Sequence, residues 1–189
     1  EEVRSTNNIY NSKIIGGDII LFGFDTGGVW EYQISSQTFT KIYDEIGQFG
    51  DVSTIWLYFK VIDDVCLVSS GGAVANNNHY DAYGILLYDA KTRTINKIYN
   101  EGKTWGNFKD LNLNNRLISG TSSGGKGILL YDINTKTITK IYDNGYSWTY
   151  EHKVGDKYLI SSDKSSGLLS YNTLDNTVKV LSSGGMWNT

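Results

Sequence analysis

The chain has no proline, one cysteine and two histidines among its 189 residues. A single cysteine excludes an intrachain disulfide framework. Cys66 lies inside the apolar run Val65–Val68, where we expect a small core residue. The two histidines, His79 and His152, are too few and too far apart in sequence to suggest a metal or catalytic motif. No apolar run is long enough to cross a bilayer as a helix, so the sequence predicts no membrane insertion.

The net charge is small, at −3, and acidic and basic residues are interspersed along the chain. This pattern offers no basic surface for nucleic acids or anionic membranes, and we predict neither partner. Zinc-protease, nucleophile-elbow, phosphate-loop and EF-hand motifs are all missing from the sequence. We therefore expect a protein that is not an enzyme, with no cofactor and no metal site. Because the chain begins at Glu1, we expect a processed product or an excerpt of something longer.

Four copies of one β-hairpin pattern organise the chain. Each copy begins with glycine, continues as an apolar and aromatic strand, turns through polar residues and ends in a second strand. The copies are Gly28–Asp44, Gly84–Asn100, Gly127–Asp143 and Gly167–Ser182. Their starts are 56, 43 and 40 residues apart. These intervals fit the period of about 40–45 residues of a propeller blade, with one insertion in the first interval.

A second strand pair precedes each hairpin, so each repeat contains four strands, A to D, in an antiparallel meander. The A–B turns carry glycine, aspartate or asparagine, which tolerate the positive φ of tight turns. In blade three, strand A is predicted to run from Trp105 to Leu113. The sequence thus predicts an all-β fold, a four-bladed β-propeller of four-stranded antiparallel blades.

The prediction is one domain, residues 1–189, with blades at about 9–44, 55–100, 105–143 and 148–182 and a closing segment at 183–189. A β-sandwich and a parallel solenoid are the alternatives. A sandwich does not need four near-equal repeats, and solenoid repeats are shorter.

The order of strands and turns resembles the blades of YVTN-like and kelch-like propellers, a resemblance that spans the whole chain and implies architecture rather than activity. The repeat segments KIYDNGYSW, GDKYLISS and GILLYD are similar to repeats in bacteriophage tail-associated and bacterial surface proteins. That second resemblance implies an extracellular or virion-surface location.

Three tryptophans, Trp56, Trp105 and Trp148, share one repeat position, where strand A begins. The tail repeats the segment that leads to Trp148, so Trp187 can act as the fourth member when the ring closes. Either the indoles pack between blades, or they form exposed platforms that stack on sugar rings or bases. We favour packing and keep all four as candidate ligand-binding residues.

Blade two carries an insertion, Gly71–Tyr83, where the other blades have short B–C connections. In a meander, the B–C and D–A connections lie at the same end, so the insertion shares an end with the tryptophan positions. Long irregular loops often carry function, and we predict ligand contacts from Asn77, His79, Tyr80 and Asp81. A neutral insertion or a protomer contact is the alternative.

Together these features predict a non-enzymatic binding module whose partner is a glycan. The alternative is an assembly scaffold that binds another protein without a small-molecule ligand. The sequence does not indicate an oligomeric state.

Overall fold

The computed structural model describes residues 9–24, 28–44, 56–70, 73–75, 78–80, 84–101, 105, 108–111, 116–120, 127–143, 148–162 and 167–183. Within these ranges there are strands and turns and no helix, hence none that could span a membrane. The strands form four antiparallel four-stranded sheets. This confirms the all-β prediction and is consistent with a four-bladed β-propeller.

Each sheet falls within one sequence repeat. Blade one contains β1 (Ile9–Ile15), β2 (Ile19–Phe24), β3 (Val29–Gln33) and β4 (Thr38–Tyr43). Blade two contains β5 (Trp56–Ile62), β6 (Val65–Ser70), β9 (Ile85–Asp89) and β10 (Thr94–Tyr99), with a separate small hairpin of β7 (Ala73–Ala75) and β8 (Asn78–Tyr80). Blade three contains β11 (Lys109–Asp110), β12 (Arg116–Gly120), β13 (Ile128–Asp132) and β14 (Thr137–Tyr142). Blade four contains β15 (Trp148–Val154), β16 (Lys157–Ser162), β17 (Leu168–Asn172) and β18 (Val178–Ser182).

Blade three departs from its prediction at strand A. The predicted strand Trp105–Leu113 is represented, in its described part, by a bridge residue at Trp105 and the two-residue β11. The sequence there carries one extra residue and contains Gly106 and Asn107, types that pair poorly in strands. Phe108 and Leu111, which flank β11, are not in a strand, and the other residues of the predicted strand lie outside the described residues.

The glycine that begins each hairpin is required by backbone geometry. Gly84 and Gly127 have φ values of 91° and 98°. A Cβ atom added to either would lie 1.9 Å from a carbonyl oxygen, that of Tyr99 or Tyr142 respectively. Only glycine allows strands C and D to approach so closely at this point.

Two compact units divide the chain, residues 1–104 and 105–189. In the first, side chains of blades one and two form one apolar cluster, which includes Ile15, Leu21, Phe59 and Leu86. In the second, blades three and four do the same with residues that include Ile118, Trp148 and Leu169. Each unit therefore buries the face of one blade against the next. The closing segment predicted at 183–189 lies outside the described residues beyond Ser183, and the single domain remains a prediction.

Candidate functional site

Two members of the tryptophan set have described side chains, and both are buried. Trp105 is 1% exposed and Trp148 is 2% exposed. Trp148 belongs to the apolar cluster of the second unit and meets the Tyr142 ring edge-on, with centroids 5.6 Å apart. A stacking platform needs an open ring face, and neither indole presents one. The side chain of Trp56 and all of Trp187 lie outside the described residues.

The insertion of blade two contains regular structure at its centre. Strands β7 and β8 pair antiparallel, with Val74 opposite His79. His79 and Tyr80 lie on β8, whereas Asn77 and Asp81 lie outside the described residues. Ligand contact by these four residues therefore stays a prediction.

The opposite end of each blade is formed by the A–B and C–D turns and is called here the turn end. In blades one, two and four a repeated backbone hydrogen bond joins these two turns. The backbone N–H of Ala90 donates to the carbonyl of Asp64 in blade two, at 2.8 Å. In blade one, Ile34 donates to Asp18 in the same way, and in blade four Thr173 donates to Asp156. This bond fixes the two turns of one blade side by side, which fixes the turn side chains relative to each other.

Between the turn ends of blades one and two lies a cavity of about 300 Å³. Blade one supplies one wall, with Ile15, Gly16, Asp18, Ile19 and Gln33, and blade two supplies the other, with Asp64, Ala90, Lys91 and Arg93. This turn-end cavity combines apolar side chains with a few convergent polar groups, which is the usual constitution of small-molecule sites, at the lower limit of their size range.

A buried carboxylate connects the two walls of the cavity. Glu31, in β3 of blade one, is 1% exposed. It accepts a hydrogen bond from the Tyr88 hydroxyl of blade two at 2.5 Å and forms an ion pair with the Arg93 guanidinium. Arg93 also donates to Oε1 of Gln33, at 2.9 Å. The interaction with Glu31 raises the pKa of Arg93 above its ordinary value, so the guanidinium stays charged and fixed in place.

Asp18 is held by the turn of its own blade. Its carboxylate accepts hydrogen bonds from the hydroxyl and the backbone N–H of Ser35, both at 2.8 Å, and from the Gln33 amide at 3.2 Å. The side-chain and backbone bonds from Ser35 lower the pKa of Asp18. Asp18 is therefore a charged wall residue whose oxygens are largely used within blade one.

The ion pair between Lys91 and Asp64 lies at the rim of the cavity, with Nζ and Oδ2 2.8 Å apart. The hydrogen bond and charge of Asp64 raise the pKa of Lys91. Only one Asp64 oxygen is used in this pair. The other, Oδ1, lies 4.0 Å from the place that a Gly16 Cβ would occupy, on the opposite wall.

The corresponding junction of blades three and four is built differently at the same repeat positions. Arg116 takes the position of Ile19, and its guanidinium donates to Oδ1 of Asn176 and lies 3.5 Å from the Asp132 carboxylate. Leu174 takes the position of Lys91 and is 73% exposed. The second junction therefore has neither the lysine–aspartate pair nor a buried carboxylate at the position of Glu31, where Leu130 stands.

Signals for catalysis are weak in the described part of the chain. Cys66 is fully buried, as predicted, and burial raises the pKa of its thiol to about 12. A thiol in that environment stays protonated and is a poor nucleophile. His152 is exposed on β15. Among the described residues, no group of three or more histidine, cysteine, aspartate or glutamate side chains is arranged to hold a metal ion.

The turn-end cavity was not predicted, although the sequence carries one usable signal for it. Copies two to four have leucine or serine at the position of Glu31, and only copy two has two cations in its C–D turn, Lys91 and Arg93. Copy one thus has an acid where the other copies have none, and copy two has more cations in its C–D turn than any other copy. Opposite charges of this kind in successive blades indicate a contact between the blades. The sequence pattern does not give the direction in which those side chains point.

Comparisons with known proteins identify the fold and no family. No protein-family model matches the chain, and no curated protein matches it either. The computationally designed Ika4 protein is similar in structure, with a TM-score of 0.52 at 13% identity over 95% of this chain and 93% of that one. The extracellular domain of a protein described as a one component system, from B. thetaiotaomicron, has a TM-score of 0.51 at 13% identity. That match covers 93% of this chain and 22% of the other, so this chain spans about a fifth of its length. At such identity the likeness concerns the fold alone.

Proposed function

We propose that this protein is a non-enzymatic binding module and that the turn-end cavity of blades one and two holds its ligand. The observation that carries the proposal is the convergence of five polar side chains from two blades on one cavity, which Ile15, Ile19 and Ala90 also line. Three of them, Asp18, Gln33 and Arg93, are fixed by hydrogen bonds to their neighbours. Because these three groups are already ordered, they keep the shape of the cavity constant, and a ligand does not have to order them when it binds.

The ligand class that we propose is carbohydrate. The cavity presents carboxylates, cations and an amide close together. A hydroxyl group can donate a hydrogen bond to a carboxylate and accept one from a cation, so it suits this mixture. The two-unit chain resembles, in fold, an extracellular domain of B. thetaiotaomicron, which supports an extracellular location. A virion surface remains a prediction of the sequence alone.

A glycan array followed by a ¹H–¹⁵N NMR titration with the best glycan tests this proposal. We expect amide shifts at Gly16, Gly17, Asp64 and Lys91, and none at Asp156, which has the position of Asp64 in blade four. Shifts confined to residues 71–83 would move the site to the insertion. The absence of any bound glycan would contradict the carbohydrate proposal.

A second candidate function, an assembly scaffold that binds another protein, is favoured by the outer strand of blade four. Strand β18 is an edge strand with Val180 and Leu181 about half exposed. Blades one to three have lysine at the position of Val180, and a lysine on an edge strand discourages pairing with another chain. If the scaffold role is correct, Val180→Lys should reduce protein–protein association in light scattering, whereas Asp64→Asn should not.

A further inference from the structure

We infer that the Lys91–Asp64 ion pair determines ligand specificity, and that it recognises two adjacent hydroxyls of one neutral sugar unit. This inference rests on the proposed function, since it concerns the same cavity. It follows from which polar groups of the cavity are still available for a ligand and from the charges that surround them.

Most of the polar wall is already engaged. Arg93 donates from Nη2 to Glu31 and from Nη1 to Gln33, which fixes the guanidinium at both ends. Asp18 accepts three hydrogen bonds from Ser35 and Gln33. These groups shape the cavity, but a ligand that took their hydrogen bonds would have to displace existing ones, which cancels most of the gain.

The pair at the rim retains capacity. Lys91 donates one of its three N–H bonds to Oδ2 of Asp64, and Oδ1 of Asp64 faces the opposite wall near Gly16. An ammonium and a carboxylate 2.8 Å apart offer a donor and an acceptor side by side. Two vicinal hydroxyls match this arrangement, because one can accept from Nζ while its neighbour donates to Oδ1. An isolated hydroxyl can reach only the donor or only the acceptor of this pair.

The surrounding charge selects against ionised ligands. Asp18 and Asp64 line the cavity together with the cations Lys91 and Arg93. The buried Glu31 pairs with Arg93, and Asp63 and Asp89 act on Lys91 from nearby, so five carboxylates surround two cations. This excess of negative charge repels a uronic acid or a sialic acid. The ammonium of an amino sugar has no lone pair and cannot accept a hydrogen bond from Nζ of Lys91. A neutral sugar is not repelled, and its hydroxyls can both accept from Lys91 and donate to Asp64.

Isothermal titration with methyl glycosides tests the inference on the whole chain. The probes are methyl α-mannoside and methyl β-galactoside, their deoxy analogues that lack one of two adjacent hydroxyls, methyl glucuronide and glucosamine. For the neutral glycoside that binds, we expect Asp64→Asn and Lys91→Met each to weaken binding by about tenfold or more, the cost of one hydrogen bond to a charged group. The deoxy analogue should lose a similar factor, and the charged sugars should bind more weakly than the neutral ones.

Asp156→Asn is the matched control, because Asp156 has the position of Asp64 in a blade without the lysine, and it should leave binding unchanged. Unaltered melting temperatures of the three variants would show that the losses are not caused by unfolding. Sugar binding that is insensitive to both Asp64→Asn and Lys91→Met, or stronger for the charged sugars, overturns the inference and leaves the binding module intact. If none of the probes binds the wild-type protein, the inference is wrong. The glycan array then tests the carbohydrate proposal independently.

Discussion

The Tyr88 hydroxyl of blade two donates a 2.5 Å hydrogen bond to the Glu31 carboxylate of blade one, and both side chains are buried. Burial raises the pKa of Tyr88, and the bond to Glu31 raises it further, so the hydroxyl keeps its proton. The same carboxylate holds Arg93 at the wall of the cavity. One buried acid therefore joins two blades and orients the proposed binding site, which links the stability of the first unit to its function.

Three tyrosines at the same repeat position provide a matched test of this bond. Tyr88, Tyr131 and Tyr171 are all fully buried. Tyr171 donates to Asn176 at 2.9 Å, whereas the Tyr131 hydroxyl has no hydrogen-bond partner among the described residues. We expect Tyr88→Phe to cost about 1–3 kcal/mol of unfolding free energy, because a buried acid loses a donor, and Tyr171→Phe about 1 kcal/mol. Tyr131→Phe should be neutral or stabilising.

Urea denaturation of the three variants gives the order directly. Equal losses in all three would show that the hydroxyl of this repeat position does not contribute through the partners described above. A costly Tyr131→Phe would show that this hydroxyl has a partner outside the described part of the chain.

The repeated glycines differ in the space that surrounds them. Gly127→Ala places a Cβ 1.9 Å from the Tyr142 carbonyl oxygen, so strands C and D must separate. Gly155 also has a positive φ, of 60°, but nothing lies within 4 Å of its added Cβ. We expect Gly155→Ala to cost about 1–2 kcal/mol, the price of a left-handed alanine, and Gly127→Ala to cost clearly more. Thermal unfolding compares them, and equal shifts in melting temperature would contradict the steric argument.

Acid should weaken the turn end of blade one. The pKa of Asp18 is lower in the folded protein than the ordinary value of an aspartate, because Ser35 donates hydrogen bonds to its carboxylate. Its contribution to stability is therefore complete above that value and disappears as the pH falls through the lowered folded pKa. Between pH 6 and pH 3, the urea midpoint of Asp18→Asn should decrease less than that of the wild type. Ser35→Ala should show the same reduced dependence, since Ser35 supplies the bond that most lowers the pKa of Asp18. A wild-type pH profile in both variants would exclude this mechanism.

The insertion of blade two and the turn-end cavity lie at opposite ends of the blade, so their contributions to binding can be tested separately. We expect replacement of residues 76–83 by a short Gly-Ser connector to leave the melting temperature nearly unchanged, because surface loops tolerate changes in length. If Asn77, His79, Tyr80 and Asp81 contact a partner, that binding should disappear while a sugar in the turn-end cavity still binds. Unfolding of the shortened protein would show that the insertion belongs to the core.

The blades could be predicted from the sequence because alternating strand residues, glycines and turn residues recur in each repeat. The A and B strands of blade four, Trp148–Val154 and Lys157–Ser162, have the bounds that the repeat alignment predicts. The cavity could not be predicted in this way, since it depends on residues that break the repeat. Arg93 and Glu31 are far apart in sequence and meet only when blade two packs on blade one. In blade three, Phe108 and Leu111 are not in a strand although the prediction Trp105–Leu113 includes them, and β11 is only Lys109–Asp110.

The last prediction concerns the indoles at the start of strand A. Trp105 and Trp148 are almost completely buried, so Trp105→Ala and Trp148→Ala should each lower the unfolding free energy by about 3–5 kcal/mol through lost burial and a cavity. Trp30→Ala is a useful control, because Trp30 is only partly buried and stacks on Phe39 with ring centroids 5.2 Å apart. We expect it to cost less unfolding free energy than Trp148→Ala.

Chemical denaturation gives the unfolding free energies of these variants, and a glycan titration of the same variants gives their affinities. Near-native stability combined with lost glycan binding in both Trp105→Ala and Trp148→Ala would reverse the assignment and make the tryptophan positions the binding platforms.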